Sequence, residues 1–297
     1  MANGDRGPGP RRVGVVGLGL MGGSLALALA RAGVAVVGVD PDDGARALLA
    51  ERLPGSLLVE VPDATLASCD LVVLAVPLAA LERAAGALLP CLGGRTVVTD
   101  LTSVKVAPLS LLAQVLPGVR VVGGHPMAGR ERSGAAFADP DLFVGRPWAV
   151  VPGGLADRPA LALVRALATS VGAQPVEVSA SAHDGAVAAT SHLPYLLSGA
   201  LARAAERLLG DGLPVDRLAG PGLDGMLRLA AQPAWMDSVA SANAANVALA
   251  LEQVNEELES LGRALAAARR GDATALAELG ARGRAARARL AAGAPKA

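Results

Sequence analysis

The sequence predicts a doubly wound α/β domain of Rossmann-like type followed by an all-α region, and three observations carry that expectation. Short β-branched runs alternate with helical stretches from Val13 to about Val178. A glycine-rich turn sits at the first strand-to-helix junction. After Ser179 the strand signals stop and long Ala/Leu-rich segments take over. Alternation of this kind is the pattern of a largely parallel sheet covered on both faces by helices.

Strands are expected at 13–16, 34–39, 71–76, 96–99, 119–122, 149–151 and 175–178. The early ones are near-continuous apolar runs, as strands buried on both faces require, and the intervening lengths fit right-handed crossovers. Helices are expected at 182–209, 237–269 and 273–290 from their apolar periodicity. Residues 210–225, with five Gly and two Pro, read as a loop or short-helix connector. The division that follows is a disordered tail at 1–11, a dinucleotide-binding domain at 12–178 and a helical substrate and dimerisation domain at 179–297, with frayed ends at 293–297. Ala-rich helices that lack a polar face of their own would pack closely against a twin, so a homodimer through the C-terminal helices is expected.

Composition narrows the function classes. The chain has 297 residues, 52% of them hydrophobic, and 27 basic against 27 acidic side chains. A net charge of zero with no long basic block leaves no electrostatic footprint for nucleic acid or an anionic membrane. The first residues carry no apolar signal-peptide core, and no apolar run is long enough to span a bilayer. Cys69 and Cys91 have neither metal-ligand spacing nor a secreted framework around them, so they read as buried thiols in a reducing compartment, the cytoplasm. No further regulatory module is expected after the last helix, so any feedback by a small-molecule product would act at the active site.

The segment Gly17-Leu18-Gly19-Leu20-Met21-Gly22 places a G-x-G-x-x-G turn between an apolar strand and an apolar helix. Gly17 allows the tight turn, Gly19 lets the backbone approach a pyrophosphate, and Gly22 lets the helix sit close to the strand. The phosphates would then meet free N–H groups at the positive end of the helix. Asp40, about 20 residues on, ends the next strand, where its carboxylate would accept bonds from ribose hydroxyls and repel a 2′-phosphate, which favours NAD over NADP. The alternative is that Asp40 only caps the helix starting near Asp42. Val76 and Pro77, at the exit of a later strand, are the other place where the chain would cross the cofactor.

The three histidines are His125, His183 and His192. His125 follows the strand at 119–122 and falls at the carboxyl edge of the sheet, where open α/β folds place their ligand crevice. An imidazole there can accept a proton near neutrality. His183 reads equally well as a structural residue. Ser103 fits a polar contact at the site or an N-cap for the helix after it, and one residue could do both.

Four segments in register resemble the prephenate/arogenate dehydrogenase family: Gly17 to Ser24, Asp100-Leu101-Thr102-Ser103-Val104-Lys105, the stretch His125-Pro126-Met127-Ala128-Gly129-Arg130-Glu131-Arg132-Ser133-Gly134, and Ser191-His192-Leu193-Pro194. The resemblance implies NAD-dependent oxidative decarboxylation of prephenate to 4-hydroxyphenylpyruvate in tyrosine biosynthesis, with L-arogenate or 4-amino-4-deoxyprephenate as alternative substrates. It implies His125 as the residue that takes the C4 hydroxyl proton, with Ser103 sharing that hydroxyl. Arg228 would clamp a substrate carboxylate, Glu131 would stand at the site entrance, and His183 and His192 would support the substrate pocket. Three departures stand out. Tyr195 replaces a second histidine that meets the substrate side chain, Thr102 replaces a glycine, and the segment after Arg228 is shortened by a residue, which leaves Trp235 or Met236 in the place of a family tryptophan. Two other function classes remain: a β-hydroxyacid dehydrogenase or imine reductase, which would not need the His125 to Gly134 pattern, and a dinucleotide sensor, which would bind NAD without turnover.

Overall fold

A computed structural model describes residues 9–130, 132–232 and 235–293. Among them, strands β1 (Arg12–Val16), β2 (Ala35–Val39), β3 (Leu57–Val59), β4 (Leu71–Leu74), β5 (Val97–Asp100), β6 (Arg120–Pro126), β7 (Pro147–Pro152) and β8 (Gln174–Glu177) form one sheet in the order β3-β2-β1-β4-β5-β6-β7-β8. The first six strands are parallel, β7 runs antiparallel to β6, and β8 is parallel to β7. The Rossmann-like expectation therefore holds with two refinements. β3 carries no signal beyond a three-residue run on an edge, too short to stand out from its loop. The reversal at β7 arises because the described residues between 127 and 146 hold a 3-10 turn, Ala135–Phe137, and no crossover helix to return the chain in parallel.

Helices α1 (Leu20–Arg31), α2 (Asp43–Ala50), α3 (Leu81–Leu88), α4 (Val106–Val115) and α5 (Arg158–Ser170) flank the sheet. Successive strand residues point to opposite faces. Val13, Val15 and Val73 pack with Leu25 and Leu29 of α1 and Val164 and Leu167 of α5 on one face. Val72, Leu74 and Val98 pack with Leu81 and Leu88 of α3 and Leu112 of α4 on the other. Residues 9–11, expected in the tail, are placed: Pro10 is buried and the Arg11 amide donates to Asp70 at 2.8 Å. Cys69 is buried as expected, and its thiol is pushed up to about 11 by that burial; Cys91 is only half-buried, a correction to its reading as an interior thiol.

The C-terminal part is all helix: α6 (Ala180–Val187), a π-helical turn at Ala188–His192, α7 (Leu193–Gly210), α8 (Val215–Leu218), α9 (Pro221–Leu227), α10 (Trp235–Ala242), α11 (Ala244–Ala268) and α12 (Thr274–Gly293). The expected helix at 182–209 is thus interrupted by a π turn, a feature often found at functional sites. That at 237–269 is broken at Asn243, and the Gly-rich connector contains two short helices. Val254, Leu258 and Leu261 of α11 and Leu276 and Leu279 of α12 line an apolar groove that remains open to solvent. Among the described residues, no helix is long and apolar enough to cross a membrane.

The helical part packs on the sheet domain through α10, against the turn at Leu78–Ala80, and through α6, against α4 and β7. Beneath this junction lies a buried ion pair. Lys105 and Asp100 are both fully inaccessible. The Lys105 ammonium donates to the Asp100 carboxylate, to Thr102 Oγ1 at 3.1 Å and to the Gly124 carbonyl at 2.8 Å, so three donors meet three acceptors on β5, its exit and β6. Burial lowers the Lys105 pKa, opposed by the attraction of Asp100 and Asp184. Lys105→Met would leave the buried Asp100 without its cation, and is expected to cost about 3–5 kcal/mol in denaturant unfolding; a loss below about 1 kcal/mol would show that the pair is dispensable.

Candidate active site

The glycine turn lies at the switch point of the sheet, between β1 and β4. Gly17 has φ +92°, and a Cβ there would meet the Ala75 carbonyl oxygen at 2.5 Å, so only glycine fits where the turn crosses the exit of β4 next to Val76. At Gly22 a Cβ would fall 1.8 Å from the Gly17 carbonyl oxygen, which is how closely α1 approaches the turn. Above Gly19 the space is open, and no side chain caps the N-terminus of α1. Free amides, an unobstructed approach and the helix dipole fit a dinucleotide pyrophosphate. Val76 is half-buried and Pro77 exposed at the rim.

Asp40 stands just beyond β2. Its carboxylate accepts the Leu18 amide at 2.6 Å and the Asp42 amide at 2.9 Å, which holds it beside the glycine turn with lone pairs still available for ribose hydroxyls. Capping of α2 falls to Asp42, whose side chain accepts from Gly44 and Ala45. The capping alternative for Asp40 is therefore answered by its neighbour.

His125 is the penultimate residue of β6, and a row of hydrogen bonds runs back from its ring. His125 Nδ1 lies 2.9 Å from His183 Nε2, and His183 Nδ1 lies 2.7 Å from Asp184 Oδ1. Gly124 brings β6 close to β5 at this point, because a Cβ there would meet the Asp100 carbonyl oxygen at 2.7 Å. Asp184 also accepts the backbone amides of Lys105 at 2.7 Å and Val106 at 2.9 Å. Burial pushes the Asp184 pKa up, but the bonds from His183, Val106 and Lys105 together outweigh it and hold the carboxyl below its ordinary value.

A second histidine is held from the other side. His192, the last residue of the π turn, is buried, and its Nδ1 lies 3.2 Å from Asn243 Nδ2, which also donates to the Asp184 carbonyl at 2.7 Å. An imidazole nitrogen facing an amide N–H acts as acceptor, so the proton of neutral His192 belongs on Nε2. That nitrogen is buried and has no hydrogen-bond partner among the described residues. A donor in this position is poised for an acceptor atom on a ligand.

The remaining expected residues are less tightly drawn together. Ser103 is half-buried on the loop between β5 and α4 and does not cap α4, whose first amides go to Asp184 instead. Tyr195 donates its hydroxyl to Asp237 Oδ1 at 2.8 Å, a bond that raises the phenol pKa. Arg228 is exposed and opens the 3-10 turn Arg228–Ala231, a segment tied to α7 because Ser198 Oγ donates to the Met226 carbonyl and accepts the Ala230 amide. Glu131 lies outside the described residues. At the departure noted after Arg228, Trp235 is largely exposed and Met236 buried. Sequence reasoning gave no role to Asp184, Asn243, Asp237 or the Asp100–Lys105 pair. Among the described residues no cluster of His, Cys, Asp or Glu could hold a metal ion.

Comparison with known proteins decides the family. The domain described as "Prephenate dehydrogenase, nucleotide-binding domain" matches residues 25–177, and "Prephenate dehydrogenase, dimerization domain" matches residues 179–279. The chain belongs to the prephenate dehydrogenase family. This is a family of NAD-dependent oxidoreductases associated with tyrosine biosynthesis, and the helical part is its dimerisation domain. A probable prephenate dehydrogenase, NovF, of Streptomyces niveus is 34% identical over 87% of this chain and 70% of its own length. The prephenate dehydrogenase of Bacillus subtilis is 32% identical over 75% of this chain, which spans 62% of that protein. Among solved structures, a prephenate dehydrogenase from A. aeolicus in complex with hydroxyphenyl propionate and NAD+ superposes with a TM-score of 0.84 at 26% identity, covering 94% of this chain and 98% of that one. A Synechocystis arogenate dehydrogenase gives 0.79 at 28%, covering 92% and 98%.

The electrostatics of His125 set a pH dependence. Burial first, then the Lys105 ammonium and the His183 and His192 rings, push its pKa well below 6.5. The folded value is depressed, so the ring is unprotonated throughout the neutral range, and the acid limb of kcat/KM is expected below pH 6.5. Below 6.5 the unfolded chain binds the proton that the native state refuses, so stability is complete above 6.5 and declines as pH falls toward the folded value. Initial rates and thermal midpoints measured across this range check both; an acid limb at or above 6.5 would mean that His125 is solvated or charged near neutrality.

Proposed function

We propose that this protein oxidises prephenate with NAD and releases carbon dioxide, giving 4-hydroxyphenylpyruvate for tyrosine biosynthesis. The observation that carries the reading is the row Asp184, His183, His125, which leaves His125 Nε2 as a proton acceptor at the carboxyl edge of the sheet that also presents the glycine turn. NAD, when bound, supplies the ring that accepts hydride from C4 of the substrate. His125 takes the C4 hydroxyl proton, and the oxygen becomes a carbonyl. The bond from C1 to its carboxylate then breaks, its electron pair enters the ring, and the phenolate oxygen recovers the proton from His125. No net proton is released, and aromatisation makes the sequence irreversible.

The other proposed roles follow from position and chemistry. Ser103 would share the C4 hydroxyl, and the buried Nε2–H of His192 would donate to a substrate oxygen. Arg228 would pair with a carboxylate through its planar fork, which a lysine cannot reproduce. Glu131 would border the entrance, and Tyr195 would face the substrate side chain. Gly17, Leu18, Gly19, Leu20, Met21 and Gly22 would cradle the pyrophosphate, with Asp40 at the ribose and Val76 and Pro77 along the cofactor's path. The open groove between α11 and α12 supports pairing with a second copy, and the two cysteines without a disulfide support a cytoplasmic setting.

One observation favours a second substrate. Tyr195 is bonded to a carboxylate, Asp237, so an ammonium-bearing side chain would be better matched there than a pyruvyl carboxylate, which supports L-arogenate. NADH formation with prephenate, L-arogenate and 4-amino-4-deoxyprephenate in parallel, each with NAD and NADP, tests the proposal. Turnover of prephenate with NAD is expected, reduced about 10²–10⁴-fold in His125→Asn. Faster turnover of arogenate would transfer the assignment to the second reading, and no turnover of any of the three would refute the activity.

A further inference from the structure

We infer that Asp184 is a positioning residue that fixes the tautomers of two histidines in series, so that His125 presents a bare Nε2 to the substrate, and that the same carboxylate anchors the loop carrying Ser103. The inference rests on the reading of His125 as the proton acceptor.

Asp184 accepts two backbone amides, those of Lys105 at 2.7 Å and Val106 at 2.9 Å. Those donors favour its ionised form, and an ionised carboxylate can only accept. His183 Nδ1, at 2.7 Å from Asp184 Oδ1, must therefore carry a proton and donate it. In neutral His183, Nε2 is then a lone pair, and the group facing it at 2.9 Å, His125 Nδ1, must be the donor. With one proton on the neutral ring, and that proton on Nδ1, His125 Nε2 is left as an acceptor. When it takes a proton, the positive charge on His125 faces a row that ends in a carboxylate.

Asp184 also sets where the other partner sits. Ser103 lies two residues before Lys105, and the first turn of α4 has no side-chain cap of its own; Asp184 of α6 supplies it from another element. The carbonyl of Asp184 holds Asn243, which in turn faces His192 Nδ1. One residue, on the first helix after the sheet, thus contacts the serine loop and, through the side chains of His183 and Asn243, reaches His125 and His192. Helix spacing does not announce this, because neighbouring positions on a helix point away from each other.

A merely structural Asp184 would affect folding and leave the chemistry of folded enzyme alone, so the test separates the two with the full-length protein. For folded Asp184→Asn, kcat is expected to fall about 10–100-fold, with KM and NAD affinity within about threefold of wild type. His183→Leu should lose a similar amount or more. His183→Gln, whose amide oxygen can accept from His125 Nδ1, should recover at least tenfold over His183→Leu. Nitrogen-15 spectra of the histidine rings give a readout without substrate: wild type should show His125 protonated on Nδ1, and His183→Leu a mixture of tautomers. Equal activity of His183→Gln and His183→Leu, or an Nε2–H tautomer of His125 in wild type, overturns the inference. If no cyclohexadienyl substrate turns over while the tautomer is as stated, the proposed activity fails and the tautomer relay stands as geometry alone.

Discussion

A single buried carboxylate holds the candidate site together. Asp184 lies at the start of the helical part, but every group it binds through its side chain belongs to the machinery at the sheet edge: the first amides of α4 and, through His183, the ring at the end of β6. Burying a charge is tolerable only when its hydrogen bonds are complete, and here two amides and an imidazole complete them. The junction between the sheet and the helices is fixed by this polar contact as well as by packing, which ties the orientation of His125 to the docking of the second domain.

The polar interior continues beneath it. Lys105 and Asp100 bridge β5 and β6 where the two strands end, and the Gly124 carbonyl, one residue before His125, is among the ammonium's acceptors. An apolar pair of similar volume would cover the same space, often with no loss of stability. What it would not supply is a fixed cation near an imidazole, which adds to the larger effect of burial in keeping His125 unprotonated and free to accept. Small residues complete the arrangement: Gly124 admits β6 against Asp100, and Gly17 and Gly22 let the first turn, α1 and the exit of β4 meet at the switch point. The depressed His125, the unpartnered His192 Nε2 and the π turn all fall in one region, as expected where local rules are broken for function.

Legibility in the sequence followed the range of the interactions. The β-branched runs, the glycine turn and Asp40 declare themselves because their geometry is set within a few residues, and seven of the eight strands were readable that way; β3 was not, since three half-exposed residues on an edge carry too little pattern. His125 was readable because a histidine at the carboxyl end of a parallel strand is placed by the fold, although the strand runs past it to Pro126. Asp184, Asn243 and Asp237 were not, because their partners lie 78, 51 and 42 residues away and no local pattern encodes such pairings. The antiparallel turn of β7 escaped for a related reason: it depends on what the preceding connection lacks. The helix boundary at Asn243 and the π turn at Ala188–His192 interrupt otherwise continuous apolar periodicity, and periodicity alone cannot see a break made by tertiary hydrogen bonds.

The central claim is that His125 Nε2 meets the hydroxyl oxygen on the carbon that is oxidised. A crystal structure with NAD and a hydroxyphenyl propionate, a product-like phenol, tests it most directly. The account predicts the phenol oxygen at about 2.6–3.2 Å from His125 Nε2, with His125 Nδ1 still on His183. A phenol turned away from His125, or bound through the His125 Nδ1 edge with the contact to His183 broken, would contradict it.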